Sequence, residues 1–176
     1  MFEFTYESLL KVEAIFLKID PAKPDGKILE DLDFKEIHCL IDMLPFDGNE
    51  KILDLLLKDK KIDLGTLLRF AWSLDPIRLK FSKNLDSYEN SVLQILLCVE
   101  RRIMENQHES KKISFFYKDF LRERGIDVDE YYLDKIDRLP ECYKTKVNGQ
   151  KFKDWRKMIT TRKYNELRNK NLVDKQ

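Results

Sequence analysis

Apolar residues in this chain return every three or four positions along most of its length, and only five glycines and five prolines interrupt them. That spacing is the mark of amphipathic helices, and no series of alternating strands at regular intervals competes with it. The expected fold is all-α, an irregular bundle of six to eight helices. Residues 5–19 read as the first, with Leu9, Val12, Phe16 and Ile19 on one face and Pro21, Pro24 and the Asp25-Gly26 turn as its stop. Helices over 34–44, 50–58 and 64–74 follow, and Asp75-Pro76 marks a break, because a residue before proline avoids the helical region. Residues 87–106 carry the longest apolar stretch. It is apolar on most sides, which predicts a central helix surrounded by the others. Ser114 is the expected cap of a helix over 115–124 that Gly125 ends, and Asp129 opens one over 130–139.

With 176 residues and 43% apolar content, the chain is large enough to bury a sizeable core. Its longest apolar runs are far too short to span a bilayer, and no charged start leads into an apolar stretch, so neither a membrane segment nor a cleaved signal peptide is expected. Three cysteines do not make a disulfide framework. A soluble, cytoplasmic protein is the resulting expectation. Three alanines beside 23 lysines point to an A/T-biased genome of the kind found in phages, viruses and parasites.

Charge divides the chain. Residues 144–171 hold ten basic and two acidic side chains, a net of +8, leaving −7 elsewhere in a chain whose total is +1. Two regions follow, a helical body over 1–140 and a basic extension over 141–176. Within the extension, the Asn148-Gly149 dipeptide sits in an alternating stretch and predicts a short β-hairpin. A two-residue turn would set Lys146 opposite Lys151 and Lys144 opposite Lys153, so four lysines share one face. Like charges directly opposed destabilise a hairpin, and that face calls for water or an anion. A helix from about residue 154 then places Trp155 and Ile159 on one side, with Arg156 and Lys163 along its margin. Basic residues interleaved with an aromatic suit phosphate contacts beside a stacking group. The surface expected to contact nucleic acid comprises Lys144, Lys146, Lys151, Lys153, Trp155, Arg156, Lys157, Arg162 and Lys163. The plainer alternative is a solvated face whose lysine stems cover apolar surface.

From Val147 to Trp155, and again from Thr161 to Leu167, this stretch resembles the middle of the KilA-N DNA-binding domain: a glycine turn, a lysine-rich strand and a Phe-x-x-Trp helix start at Phe152 and Trp155. The resemblance implies binding to DNA.

Arg102 and His108, separated by five residues, resemble the Arg-x(4–6)-His signature of HEPN ribonucleases, which are also helical bundles. That resemblance implies phosphate stabilisation by the arginine and acid–base work by the histidine. Other candidates carry less. His38 and Asp42 stand one turn apart on a helix and read as a hydrogen-bonded pair rather than the start of a metal site. Cys39 and Cys98 read as core side chains, and Cys142 as the one thiol placed for reactivity. Glu130, Asp134 and Asp137 form a carboxylate row able to dock the basic extension. Residues 25–28 and 61–64 resemble degraded EF-hand loops in which Ile28 and Ile62 would pair across a short sheet, with calcium ligands missing. No phosphate loop, nucleophile elbow or His-Glu-x-x-His run occurs. No metal or cofactor is expected. The functional expectation is a non-enzymatic binding protein for nucleic acid, with a helical protein-interaction module for an acidic protein partner as the alternative, and a HEPN-like ribonuclease as the second.

Overall fold

The computed structural model describes residues 5–20, 23–46, 48–126 and 128–151. The fold is all-α. Among the described residues the helices are α1 (Tyr6–Lys18), α2 (Phe34–Met43), α3 (Glu50–Lys58), α4 (Leu64–Ser73), α5 (Pro76–Phe81), α6 (Ser87–Met104), α7 (Tyr117–Glu123), α8 (Glu130–Arg138) and α9 (Glu141–Lys144), with a 3-10 turn at Gly26–Leu29. Side-chain caps fix most of the starts. Thr5 accepts from the Ser8 amide, Asp129 accepts from the Tyr132 amide, and Asp33 and Asp86 each form a reciprocal capping box with the glutamate three residues on.

The expected break at Asp75-Pro76 is present, and Pro76 is also the first residue of α5, where its missing amide hydrogen costs nothing; two other expectations fail for identifiable reasons. Asp75 takes the left-handed conformation (φ 56°) that makes this junction and accepts from the Arg78 amide. The helix over 87–106 is not surrounded. As α6 it buries Val92, Leu96, Val99 and Ile103 against its neighbours, while Leu97, Cys98 and Met104 face outward. Ser114 caps nothing, because residues 113–115 are extended and α7 starts only after Phe116.

That extended segment organises one end of the molecule. Ser110 bridges Asp63, Ile113 bridges Gln150 in parallel, and Phe115 bridges Val147 in antiparallel fashion. Asp63, wholly buried, opens α4 and accepts from the Gly65 amide at 2.8 Å. The same carboxylate accepts from the Lys112 amide (2.6 Å), the Ile113 amide (3.1 Å) and the Ser110 hydroxyl (2.5 Å). A buried carboxylate with this many donors is compensated for its loss of water. Gly65 lies against Ile113 and Gly149 against Lys112 so closely that a β-carbon at either would overlap the facing backbone carbonyl. The segment is therefore held between two glycines by main-chain contact. Asp63 belongs to this clamp rather than to a relict calcium loop, its bridge is to Ser110, and residue 28 sits in the 3-10 turn. Lys61 closes that turn from outside, donating to the Glu30 and Leu32 carbonyls at 2.7 Å each.

The start of the basic extension packs with the body. Tyr143 on α9 is fully buried; its hydroxyl donates to Glu100 of α6 at 2.8 Å, and its carbonyl accepts from the Trp72 indole at 3.0 Å. Trp72 in turn stacks on Tyr117 with centroids 5.3 Å apart. Val147 joins the same core.

Candidate functional site

Of the basic residues expected to contact nucleic acid, Lys144, Lys146 and Lys151 are described; Lys153, Trp155, Arg156, Lys157, Arg162 and Lys163 lie outside the described residues, so the part of the expected hairpin at residues 152 and 153 does too. Val147 and Gln150 direct their amides to Phe115 (2.9 Å) and Lys112 (2.7 Å) on the neighbouring segment. This pairing has a consequence for charge. It carries Lys111 and Lys112 alongside Lys146 and Lys151, and all four are exposed. Two of the ammonium groups rest over aromatic faces, Lys112 at 5.0 Å from Phe34 and Lys146 at 5.4 Å from Phe116. Lys144 plays another part. It is paired with Glu141 at 2.5 Å and donates to the Asp137 carbonyl at 3.2 Å, tying α9 to α8. The glutamate holds its ammonium above the usual lysine range. The carboxylate row on α8 is partly spoken for, since Asp134 pairs with Arg138 at 3.8 Å.

Arg102 and His108 lie at the end of α6 and in the loop beyond it. One guanidinium nitrogen of Arg102 donates to the Asp59 carbonyl (3.1 Å) and the Gln107 carbonyl (2.6 Å), which fastens the loop to the end of α3. Its Nε and second terminal nitrogen, and both ring nitrogens of His108, are buried with no hydrogen-bond partner among the described residues. Burial, then Lys111, lowers the His108 pKa, so the ring is held neutral.

A pocket that the sequence did not reveal opens between α2, α4 and the end of α7. It has a volume of about 220 Å³, and its polar lining is His38, Asp42, Thr66, Arg69, Ser73 and Arg124. His38 is buried, with Nδ1 2.8 Å from the Thr66 hydroxyl. Burial first, then the Arg69 charge, push its ring down to about 4 against the opposing pull of Asp42, so it is uncharged at neutral pH. Arg69 reaches Asp42 at 3.7 Å and Glu123 at 3.6 Å, both beyond hydrogen-bond length. The Arg124 guanidinium forms no ion pair or hydrogen bond among the described residues and lies over Phe120 at 5.2 Å. Arg69 covers the same ring at 5.5 Å. Residues 38–42, 66–74 and 124 meet only through tertiary packing, and no local motif marks them.

Cys39 is core as expected, Cys98 is exposed rather than buried, and burial pushes the Cys142 thiol up to about 11, which leaves it protonated at neutral pH. No group of three or more metal-ligating side chains converges among the described residues. No helix there is long and apolar enough to cross a membrane. Set against models of known protein families, curated proteins and solved structures, the chain matches none. The KilA-N and HEPN resemblances therefore rest on the quoted residues alone.

Proposed function

We propose that the protein binds nucleic acid in the cytoplasm, mainly through the phosphate backbone, along the lysine edge that begins at Lys111 and Lys112, continues through Lys146 and Lys151, and extends into the basic residues up to Lys163. The observation that supports this reading is the pairing of 113–115 with 147–150, which brings two exposed lysine pairs distant in sequence onto neighbouring segments. Lysines so placed are electrostatically unfavourable to maintain without an anion, and a polyanion spanning them releases counterions. Lys144, paired with Glu141, is left out of the contact set.

Binding of the full chain to labelled single- and double-stranded DNA and RNA over a salt series tests it. Affinity should fall log-linearly with salt. Replacing Lys111, Lys112, Lys146 and Lys151 by alanine should reduce the slope by about 3 to 4 on duplex DNA, at roughly 0.9 for each phosphate no longer neutralised. A chain ending after Lys151 measures the share of the remaining basic residues and keeps Tyr143, whose loss would open the core. Absence of binding at low salt, or a slope untouched by the four substitutions, defeats the proposal. A salt-insensitive stoichiometric complex with a protein would replace it with the interaction-module reading.

A second reading, HEPN-like cleavage of RNA, is supported by the unpartnered nitrogens of Arg102 and His108. Loss of RNA cleavage in His108→Ala, with an unchanged circular dichroism spectrum, is its test.

A further inference from the structure

The pocket between α2, α4 and α7 combines loosely held cations with an apolar wall. Its apolar lining is Ile41, Leu44, Phe46, Phe70 and Leu74. A volume of about 220 Å³ is enough for one ring-sized organic molecule. The Arg69 guanidinium has no hydrogen bond among the described residues, since both its ion pairs exceed 3.5 Å, and the Arg124 guanidinium has none either. The two guanidinium groups approach one ring, that of Phe120, each within 5.5 Å of its centre, and both side chains line the pocket. Guanidinium forks match a carboxylate geometrically. Charge narrows the choice of anion: Arg69 and Arg124 face two carboxylates, Asp42 in the lining and Glu123 beside Arg69, with His38 neutral. A single negative charge can be shared by the two guanidinium groups, whereas a dianion such as a phosphate monoester would be driven more strongly against Asp42 and Glu123.

We propose that this pocket is a binding site for a small organic monocarboxylate, with its apolar body against Ile41, Phe70 and Leu74 and its carboxylate across Arg69 and Arg124. The site is separate from the lysine edge and independent of whether that edge binds nucleic acid.

A two-dimensional NMR titration of the full-length protein with benzoate, benzyl alcohol and phenyl phosphate tests the proposal. Benzoate should give saturable shifts centred on the amides of Thr66, Arg69, Ser73 and Arg124. Benzyl alcohol, without the charge, should bind about tenfold more weakly or less, and phenyl phosphate more weakly than benzoate. Arg124→Gln changes an exposed side chain and should keep the native spectrum while weakening benzoate about tenfold. The proposal is overturned by the absence of saturable benzoate shifts, by benzyl alcohol or phenyl phosphate binding as tightly as benzoate, or by shifts that map to residues 146–151 and survive Arg124→Gln.

Discussion

The two ends of α4 are built on opposite principles. At its start, Asp63 satisfies four donors inside the protein, and Gly65 lets a second segment pass at main-chain contact. Nothing there is free to meet a ligand. Toward its end, Arg69 holds two carboxylates only at 3.6–3.7 Å, and the helix borders an open pocket. The first end stores stability in polar groups that water no longer reaches. The second leaves polar groups under-used, which is what a binding surface requires.

Substitutions along this one helix should therefore grade from severe to silent. Asp63→Ala strips the partner from three amides, two of them buried, and should destabilise the fold by about 4 kcal/mol in urea denaturation. A loss under about 1 kcal/mol would show that the clamp is not what holds residues 110–113. Gly65→Ala forces a β-carbon into the Ile113 carbonyl and should cost about 3 kcal/mol, with lowered hydrogen-exchange protection confined first to 110–115 and 147–150.

His38, bonded to Thr66 in the first turn of α4, gives an intermediate and pH-dependent effect. Its folded pKa near 4 lies below the unfolded value of 6.5, so the unfolded chain takes up the proton first as pH falls. The stability it confers is complete above pH 6.5 and declines between pH 6.5 and 4. At pH 5 the loss should be about 2 kcal/mol, at roughly 1.4 kcal/mol per pH unit. His38→Gln should flatten the wild-type slope by that amount; His108, lowered in the same direction, leaves a remainder of the same sign. The smallest effect belongs to the far end. Arg69→Gln should change stability by no more than about 0.5 kcal/mol. A larger change would mean that its long ion pairs carry structural weight and would blur the contrast between the two ends.

Much of the helical framework is legible in the sequence alone. The extent expected for α3 matches residue for residue, and α1, α2, α4 and α8 agree to within one residue at each end. Local signals suffice in these cases, because an apolar stripe sets the face, an Asp or Thr cap sets the start and a turn residue sets the stop. Where a local signal has two outcomes, the reading is incomplete or wrong. Asp75-Pro76 stops one helix, as expected, and starts the next equally well. The apolar surround of α6 suits a central helix, yet Leu97 and Met104 remain at the surface because neighbours pack on one side only. Of the candidate sites, the lysines of the extension are visible as composition, whereas Lys111 and Lys112 join them only through the bridges to residues 147 and 150.

By itself, the sequence determined that the chain is a set of amphipathic helices with a strongly basic end. Period, caps and charge are properties of neighbours within one turn or one stretch. Only the tertiary structure decided that Asp63 is the centre of a buried clamp, that Tyr143 belongs to the core, and that His38, Arg69 and Arg124 line one pocket. Each depends on segments tens of residues apart, and their meeting is set by which buried polar groups find partners when the helices pack.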